Sequence, residues 1–471
     1  MNYSFGGKEI NQVRDSVWEY EQMLATSSGR YFDIDTFTLI IDYYLNEKCI
    51  SSAKNALNYA MKMHPNSFEL LTAKTEILIE EGEYKDAIKI LNKLENTLPG
   101  NKDVLLLSGL CNILLNKHKT AKAYFDKLIE FEIENSGKED YLYLIGASLR
   151  SKKQYEPALN YLEDAYNINA KNSLVLYDLA FCYEKLGNFE KSFTFYDKYL
   201  EEDPFSASAW FNFGVVASRL GNFKKTLEAY EFSIAVNPDF ADAYFNLAVA
   251  YSENGNSEKA KEKFTEYVSL NPNDTEALCY LADLFECEGN FDYAELYYTQ
   301  ALVSDENNET ALYGMATLEY RRENYRESLL YINSVLEKNK KKIEYIYIKG
   351  LVLKKLGFLE DSLNYLSNAA KSNPKEIRYI LAYADILFLT EAKSKAIKLL
   401  EEAEKKFKEN VGLFSRLAAF LYRIERYKSI YYLGLAMQLD SDVYDEFIRV
   451  NPEALNDVQI SELVAKYIEN Y

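Results

Sequence analysis

The 471-residue sequence is poor in the residues and motifs that carry most catalytic and metal chemistry. It has two histidines, His64 and His118, and five cysteines without a Cys-x-x-Cys pair. No GxGxxG, GxxxxGK[ST] or HExxH motif occurs, and neither histidine stands in a recognised nucleophile motif. These absences argue against a disulfide framework, a zinc site, a phosphate-binding loop and nucleophilic catalysis. We expect a protein that is not an enzyme, binds no metal and needs no cofactor, with its thiols reduced and buried.

Long hydrophobic runs and an excess of positive charge are also missing. No run of about 18 apolar residues is present for a membrane helix, and residues 1–11 lack the apolar core of a signal peptide. The 73 acidic residues outnumber the 54 basic ones, for a net charge of -19. This balance disfavours nucleic acid and anionic membranes as partners. We expect a cytoplasmic protein, and the sequence leaves its oligomeric state open.

What the sequence does contain is a repeat of 34 residues. Within Ala207–Pro272, the residues Trp210, Phe213, Gly214, Gly221, Tyr230 and Pro238 recur 34 positions later as Tyr244, Leu247, Ala248, Gly255, Phe264 and Pro272. Stepping from Trp210 finds twelve units, which start at Phe37, Leu71, Leu105, Leu142, Leu176, Trp210, Tyr244, Leu278, Leu312, Ile346, Ile380 and Phe414. The step is 37 only before Leu142, and its three extra residues fit a turn-like stretch within 134–138.

Columns of like residues run through the twelve units. The fourth position after the start is Gly or Ala in ten units, and the sixteenth is Ala, Ser or Thr in eleven. Small residues at both positions predict two helices in close contact, because a larger side chain would overpack the interface. Glycine recurs at the eleventh position, where it suits a tight turn, and six of the eight prolines fall at the twenty-eighth, where they end a helix.

These columns resemble the tetratricopeptide repeat, whose pattern W-x2-L-G-x2-Y, A-x3-F and P is closely met at Tyr244, Leu247, Ala248, Tyr251, Ala260, Phe264 and Pro272. The resemblance implies an all-α, right-handed superhelical α-solenoid of stacked antiparallel helix pairs. We place about twelve repeats in residues 33–442, with one short insertion near 134–140. Residues 1–32 are interpreted as an N-terminal capping helix or half-repeat, and 443–471 as a degenerate repeat and capping helix.

The resemblance also implies that residues one, two and five positions after each start face a concave groove. The first position supplies an aromatic stripe of Tyr143, Tyr177, Phe211, Phe245, Tyr313 and Tyr347. The second position supplies Asp178, Asn212 and Asn246, which are similar to the asparagine ladder of O-linked N-acetylglucosamine transferases, and the fifth supplies Phe181. Two interpretations stay open: contacts with an extended peptide, or ordinary packing and consensus residues of the repeat.

The resulting hypothesis is a scaffold or adaptor that binds a partner's extended peptide or helix in this groove. Acidic residues at the starts of the first helices would repel an acidic C-terminal peptide, so that class of partner is not expected. One alternative is a regulatory or substrate-recruiting subunit of a separately encoded enzyme. Another, disfavoured by the net charge, is a helical-repeat RNA-binding protein.

Overall fold

The computed structural model describes the backbone of residues 7–26, 29–130 and 135–468, and the side chains of 13–26, 29–130 and 137–467. These residues form helices joined by short turns and contain no β-strand. A 3-10 helix at Pro452–Asn456 accompanies the following α-helices: α1 (Gly7–Thr26), α2 (Ile34–Asn46), α3 (Ile50–Met63), α4 (Phe68–Glu80), α5 (Tyr84–Thr97), α6 (Lys102–Leu114), α7 (His118–Glu130), α8 (Asn135–Ser151), α9 (Tyr155–Ile168), α10 (Ser173–Lys185), α11 (Phe189–Glu202), α12 (Ala207–Arg219), α13 (Phe223–Val236), α14 (Ala241–Glu253), α15 (Ser257–Leu270), α16 (Thr275–Cys287), α17 (Phe291–Ser304), α18 (Glu309–Arg321), α19 (Tyr325–Lys338), α20 (Ile343–Lys355), α21 (Leu359–Ser372), α22 (Ile377–Leu389), α23 (Lys393–Glu404), α24 (Val411–Leu421), α25 (Arg426–Leu439), α26 (Val443–Val450) and α27 (Val458–Ile468).

Helices α2 to α25 follow the sequence period, with two helices in each repeat. Every start residue lies in the first helix of its pair, as Trp210 does in α12, and the second helix follows after a short turn. Within each of the two groups of repeats described below, first helices also pack against the second helix of the preceding pair, as α12 does against α11. The predicted all-α solenoid of stacked antiparallel helix pairs is thereby confirmed.

The two small columns meet inside each pair. A Cβ added at Gly214 would lie 2.6 Å from the ring of Tyr230, so the fourth position must be small for the second helix to approach. At the sixteenth position, the Ser192 hydroxyl donates a 2.8 Å hydrogen bond to the carbonyl of Ala180. A small residue therefore removes a clash on one helix, and a serine on the other satisfies a buried carbonyl.

The turn inside eleven of the twelve pairs places the eleventh position in the left-handed region, and the last pair differs, with φ of -135° at Glu425. Six glycines hold this position with φ between 71° and 86°: Gly82, Gly187, Gly221, Gly255, Gly289 and Gly357. Five other residues adopt the same conformation with φ between 57° and 63°: Lys48, Asn116, Lys153, Glu323 and Glu391. The turn geometry is thus imposed by the packing of the helix pair even where no glycine is present.

Two expectations from the sequence are wrong. Residues 135–138 form the first turn of α8 instead of a loop, while Glu134 lies outside the described residues. Three residues are close to one helical turn, so the insertion lengthens α8 without displacing its packed positions. The expected burial is confirmed for Cys111, Cys182 and Cys279, but Cys49 and Cys287 are exposed. These two lie at helix ends, Cys49 at the N-cap of α3 and Cys287 as the last residue of α16.

The helices group into two compact parts of the chain, each made of several repeats. The first unit is Met1–Ala243 and the second unit is Tyr244–Tyr471. In the first unit, Tyr20 of α1 packs edge-on against Phe37 and Tyr44 of α2. In the second unit, α26 and α27 bury Phe447 and Ile460 against the last helix pair. Separate end caps and a central array remain a prediction. No helix in the described ranges has both the length and the apolar composition needed to cross a membrane.

Candidate functional site

The candidate residues lie on one stripe of the first helices, which we call the first-helix rows: the first, second and fifth positions after each start. At 100° per residue, these positions span an arc of about 100° that borders the face holding the second helix. In the first unit the rows contain Tyr143, Tyr177, Phe181, Phe211 and Asn212, all half-buried, together with Asp178, which is buried. The stripe is therefore partly open to solvent, as a contact surface requires.

Asn212 and Tyr177 join two successive repeats of the first unit. The side-chain nitrogen of Asn212 donates a 3.0 Å hydrogen bond to the hydroxyl of Tyr177. The Tyr177 ring is held in turn by edge contacts with Tyr196 and Tyr199 of α11, at centroid distances of 5.8 Å and 5.3 Å. The amide is thus held in one orientation by contacts within the protein.

Asp178 is not an open row residue. Its side chain is 4% exposed, and its Oδ1 forms an ion pair with Nε of Arg150 at 3.0 Å. Burial raises the pKa of Asp178 to about 6, although Arg150 opposes the shift. Asp178 is therefore a buried member of the rows whose carboxylate pairs with Arg150, a residue that was not predicted from the sequence. The clue was a basic residue eight positions after Leu142, on the same helical stripe as the rows.

Arg150 gathers two further row residues around it. Its guanidinium carbon lies 5.5 Å from the ring centre of Phe181, and Lys185 approaches the same ring at 4.8 Å. Burial raises the pKa of Tyr143 to about 12, helped by the charge of Asp178 and opposed by that of Arg150. The structure thus brings Tyr143, Asp178 and Phe181 together around one cation.

Phe211 takes part in packing within the first unit. Its ring centre is 5.7 Å from that of Tyr230 on α13 and 5.2 Å from that of Phe240. The ring nevertheless stays half-exposed. Packing within the repeats and contact with a peptide are therefore compatible at this position. One side of the ring packs internally, and the rest of its surface is open to solvent.

The second unit carries the other row candidates. Phe245 packs edge-on against Phe264, Tyr267 and Tyr280, at centroid distances of 5.5 Å, 5.2 Å and 5.9 Å, and Asn246 beside it is half-buried.

Tyr313 and Tyr347 each contact a tyrosine of the following repeat, Tyr345 at 5.0 Å and Tyr379 at 4.8 Å. Both remain half-exposed. Their rings form part of the stacking between repeats, with one surface left open.

A charged cluster in the second unit was not predicted. Asp385 accepts hydrogen bonds from Arg416 at 2.7 Å and 3.2 Å, and from Lys354 at 3.4 Å. Asp385 and Arg416 occupy the fifth and second positions of their repeats, so the sequence signal for this cluster is opposite charge at row positions of successive repeats. Across the described residues, no group of three or more His, Cys, Asp or Glu side chains could hold a metal ion.

The chain matches four family models that are each described as the tetratricopeptide repeat. The matched residues are 103–131, 149–213, 229–262, 247–309 and 347–411, which together cover about half of the chain. A TPR repeat-containing protein of Methanocaldococcus jannaschii is 28% identical over 158 residues, which are 33% of this chain. The match spans 25% of that protein's length.

Solved structures also resemble the chain. The MamA protein is 25% identical, with a TM-score of 0.35, covering 36% of this chain and 93% of its own. A chain of the APC/C hetero-tetramer Cut9-Hcn1 is 14% identical, with a TM-score of 0.42, covering 93% of this chain and 96% of its own.

Proposed function

This chain belongs to the tetratricopeptide repeat family, and on that premise we propose that it is a non-enzymatic scaffold or adaptor for protein–protein interaction. Its first-helix rows would hold an extended peptide or a helix of a partner protein. The observation that carries the proposal is the Asn212–Tyr177 pair, in which a half-exposed amide is fixed beside a half-exposed ring.

Half-exposed aromatic rings suit this role physically. A ring that is held by edge contacts on one side loses little conformational entropy when a partner covers its other side, and it offers a large contact area. Edge contacts of this kind hold Tyr177, Phe211 and Phe245, and tilted ring contacts hold Tyr313 and Tyr347. An oriented amide adds a hydrogen bond whose net contribution is on the order of 0.5–1.5 kcal/mol.

Charge narrows the class of partner to a neutral or basic segment. Acidic residues stand in the first turn of several first helices, including Asp35, Glu69, Asp103 and Glu276. They complement the helix dipole, and they add to a net charge of -19. An acidic C-terminal peptide would meet repulsion along these helices, so it is not the proposed ligand.

Capture of partners by the full chain tests the proposal. Proteins retained by the tagged wild type from its native host are identified by mass spectrometry, and their affinities are measured after purification. The double variant Asn212→Ala, Asn246→Ala should bind the row-dependent partner roughly tenfold more weakly, as two lost hydrogen bonds imply. Asn364→Ala, on the exposed surface of α21, is the matched control.

Unchanged affinity in the double variant, with helicity intact by circular dichroism, would remove the asparagines from the binding surface. Loss of binding in Asn364→Ala as well would show that the effect is not specific to the rows. If the partner is an enzyme whose activity changes on binding, the role is that of a regulatory or recruiting subunit.

A further inference from the structure

In the second unit, one tyrosine hydroxyl group lies within hydrogen-bond distance of two carboxyl groups. Tyr298 of α17 is fully buried, and its Oη is hydrogen-bonded to Oδ1 of Asp283 and, at 3.0 Å, to Oε2 of Glu286. Asp283 and Glu286 are three residues apart on α16, so they share one helical face. Three oxygen atoms thus meet at one point beside the first-helix rows, in which Asp283 holds the fifth position.

A count of protons constrains this cluster. A phenol has one hydrogen and can donate it to one acceptor. With both carboxyl groups ionised, one contact would place a carboxylate oxygen against a phenol oxygen with no hydrogen between them. A second proton on one of the carboxyl groups satisfies all three oxygens, because that acid can donate to the phenol while the phenol donates to the other carboxylate.

The surroundings decide which acid keeps the proton. Glu286 is 8% exposed at its side chain and faces Arg321 of α18, whose Nε lies 3.3 Å from Oε1. This cation favours the ionised form of Glu286. Among the described residues, no lysine or arginine forms an ion pair with Asp283. Asp283 is therefore the better place for the proton.

We propose that Asp283, Tyr298 and Glu286 form a proton-binding site, in which protonated Asp283 donates to Tyr298 and Tyr298 donates to Glu286. The site makes the face of α16 sensitive to pH. Loss of the proton charges Asp283 and leaves two carboxylates competing for one hydroxyl, which weakens the contact between α16 and α17. The proposal is independent of any partner of the rows.

Other observations support this arrangement. Burial raises the pKa of Asp283, with the Tyr298 hydrogen bond opposing. Burial also raises the pKa of Glu286, with Asp283 adding to the rise and Tyr298, Arg321 and Thr317 opposing it. Gly314 of α18 leaves room for the phenol, since a Cβ there would lie 2.8 Å from Oη.

Hydrogen exchange of the full chain tests the site, with Asp283→Asn as the informative variant. Asparagine can donate to Tyr298 as the acid does, but it cannot ionise. A carboxyl group whose pKa is raised on folding contributes stability below its unfolded pKa of about 3.9, and this contribution is lost as pH rises through the folded pKa. Protection of the α16–α17 amides, corrected for intrinsic exchange, should therefore match wild type near about pH 4 and exceed it near about pH 8.

Each unit by which the pKa of Asp283 is raised corresponds to about a tenfold gain in protection at the higher pH. The helices α8 and α9 of the first unit are the internal control and should not change. A difference between Asp283→Asn and wild type that is independent of pH, or lower protection of the variant at both pH values, would refute the proposed proton.

The same comparison in a Glu286→Gln background distinguishes two causes of the pH dependence, the sharing of the Tyr298 hydroxyl and the burial of Asp283 alone. In Glu286→Gln the phenol can donate to an ionised Asp283, so the pH-dependent gain in protection on adding Asp283→Asn should become smaller than in the wild-type background. If the pH-dependent gain persists undiminished in this background, burial of Asp283 alone accounts for it and the shared proton is excluded.

Discussion

The side-chain amide of Asn212 donates a 3.0 Å hydrogen bond to the hydroxyl of Tyr177, one repeat earlier in the chain. Two residues that each belong to the first-helix rows are therefore bound to one another. The contact ties α12 to α10, and it presents an amide and a ring side by side on the same surface. One interaction serves both the stacking of repeats and the proposed binding surface.

The Asn212–Tyr177 bond should be measurable as a coupling energy. Asn212→Ala and Tyr177→Phe should each lower the free energy of unfolding by about 0.5–1.5 kcal/mol, because each removes the same hydrogen bond. The double variant should cost clearly less than the sum of the two. Urea unfolding of the four proteins gives the cycle, and strictly additive losses would show that the bond contributes nothing.

The ion pair between Arg150 and Asp178 should be costly to break from the arginine side. Asp178 is 4% exposed, so Arg150→Ala would leave a buried carboxyl group without its cation and lower the free energy of unfolding by up to about 3–5 kcal/mol while that group stays ionised. Burial raises the pKa of Asp178 to about 6 even with Arg150 opposing the shift, so removing Arg150 raises this pKa further. Protonation of Asp178 in the variant relieves the cost, so the loss should shrink as pH falls towards about 6, where the wild-type carboxyl group takes up a proton as well.

The double variant Arg150→Ala, Asp178→Asn is the control for this ion pair. It removes the buried charge as well as the cation, so it should be more stable than Arg150→Ala at neutral pH. Denaturant unfolding between about pH 5 and about pH 8 tests the linkage. An equal loss across that range would mean that Asp178 is not the group left uncompensated.

Gly214 should not tolerate a methyl group. A Cβ would stand 2.6 Å and 2.7 Å from two carbons of the Tyr230 ring, so Gly214→Ala should lower the free energy of unfolding by about 1–3 kcal/mol. Gly29→Ala is the matched control, since nothing lies within 4 Å of its added Cβ. Equal thermal stability of the two variants would contradict the close approach of α12 and α13.

The left-handed turn position should favour glycine wherever it lacks one. Glu323 has φ of 62° at this position, so Glu323→Gly should raise the free energy of unfolding by up to about 1 kcal/mol, the relieved strain being partly offset by the flexibility of glycine. Gly357→Ala, with φ of 86°, should do the opposite. Thermal denaturation measures both, and a destabilised Glu323→Gly would show that the conformation costs glutamate little.

Much of the fold can be predicted from the period, because each repeat contains residues that set its own turn and helix ends. Gly221 and Gly255 mark the turn inside a pair, and Pro238 and Pro272 follow the second helix. These signals act within a few residues, so they can be seen in one copy and counted in the others. The lengthened α8 escaped prediction because polar residues at the start of a helix look the same in the sequence as those of a loop.

The candidate site was less predictable. Counting from Leu176 and Trp210 identifies Asp178 and Asn212 as row residues, but the count cannot show that one is buried and the other half-exposed. That difference depends on Arg150, which lies 28 residues before Asp178 and on a different helix. Contacts between successive repeats follow the stacking geometry, which leaves no periodic signal in any single repeat.

The helix pairs, the positions of their turns and the stripe on which the candidate residues stand can be read from the sequence, because the period, the small residues and the turn residues act locally. Which of those residues are oriented, paired or protonated depends on tertiary contacts. Asn212 meets Tyr177 through stacking, and Asp283 shares a hydroxyl with Glu286 because Tyr298 of the next helix reaches both. Hydrogen bonding and burial depend on the distance between atoms of different helices, and packing alone sets that distance.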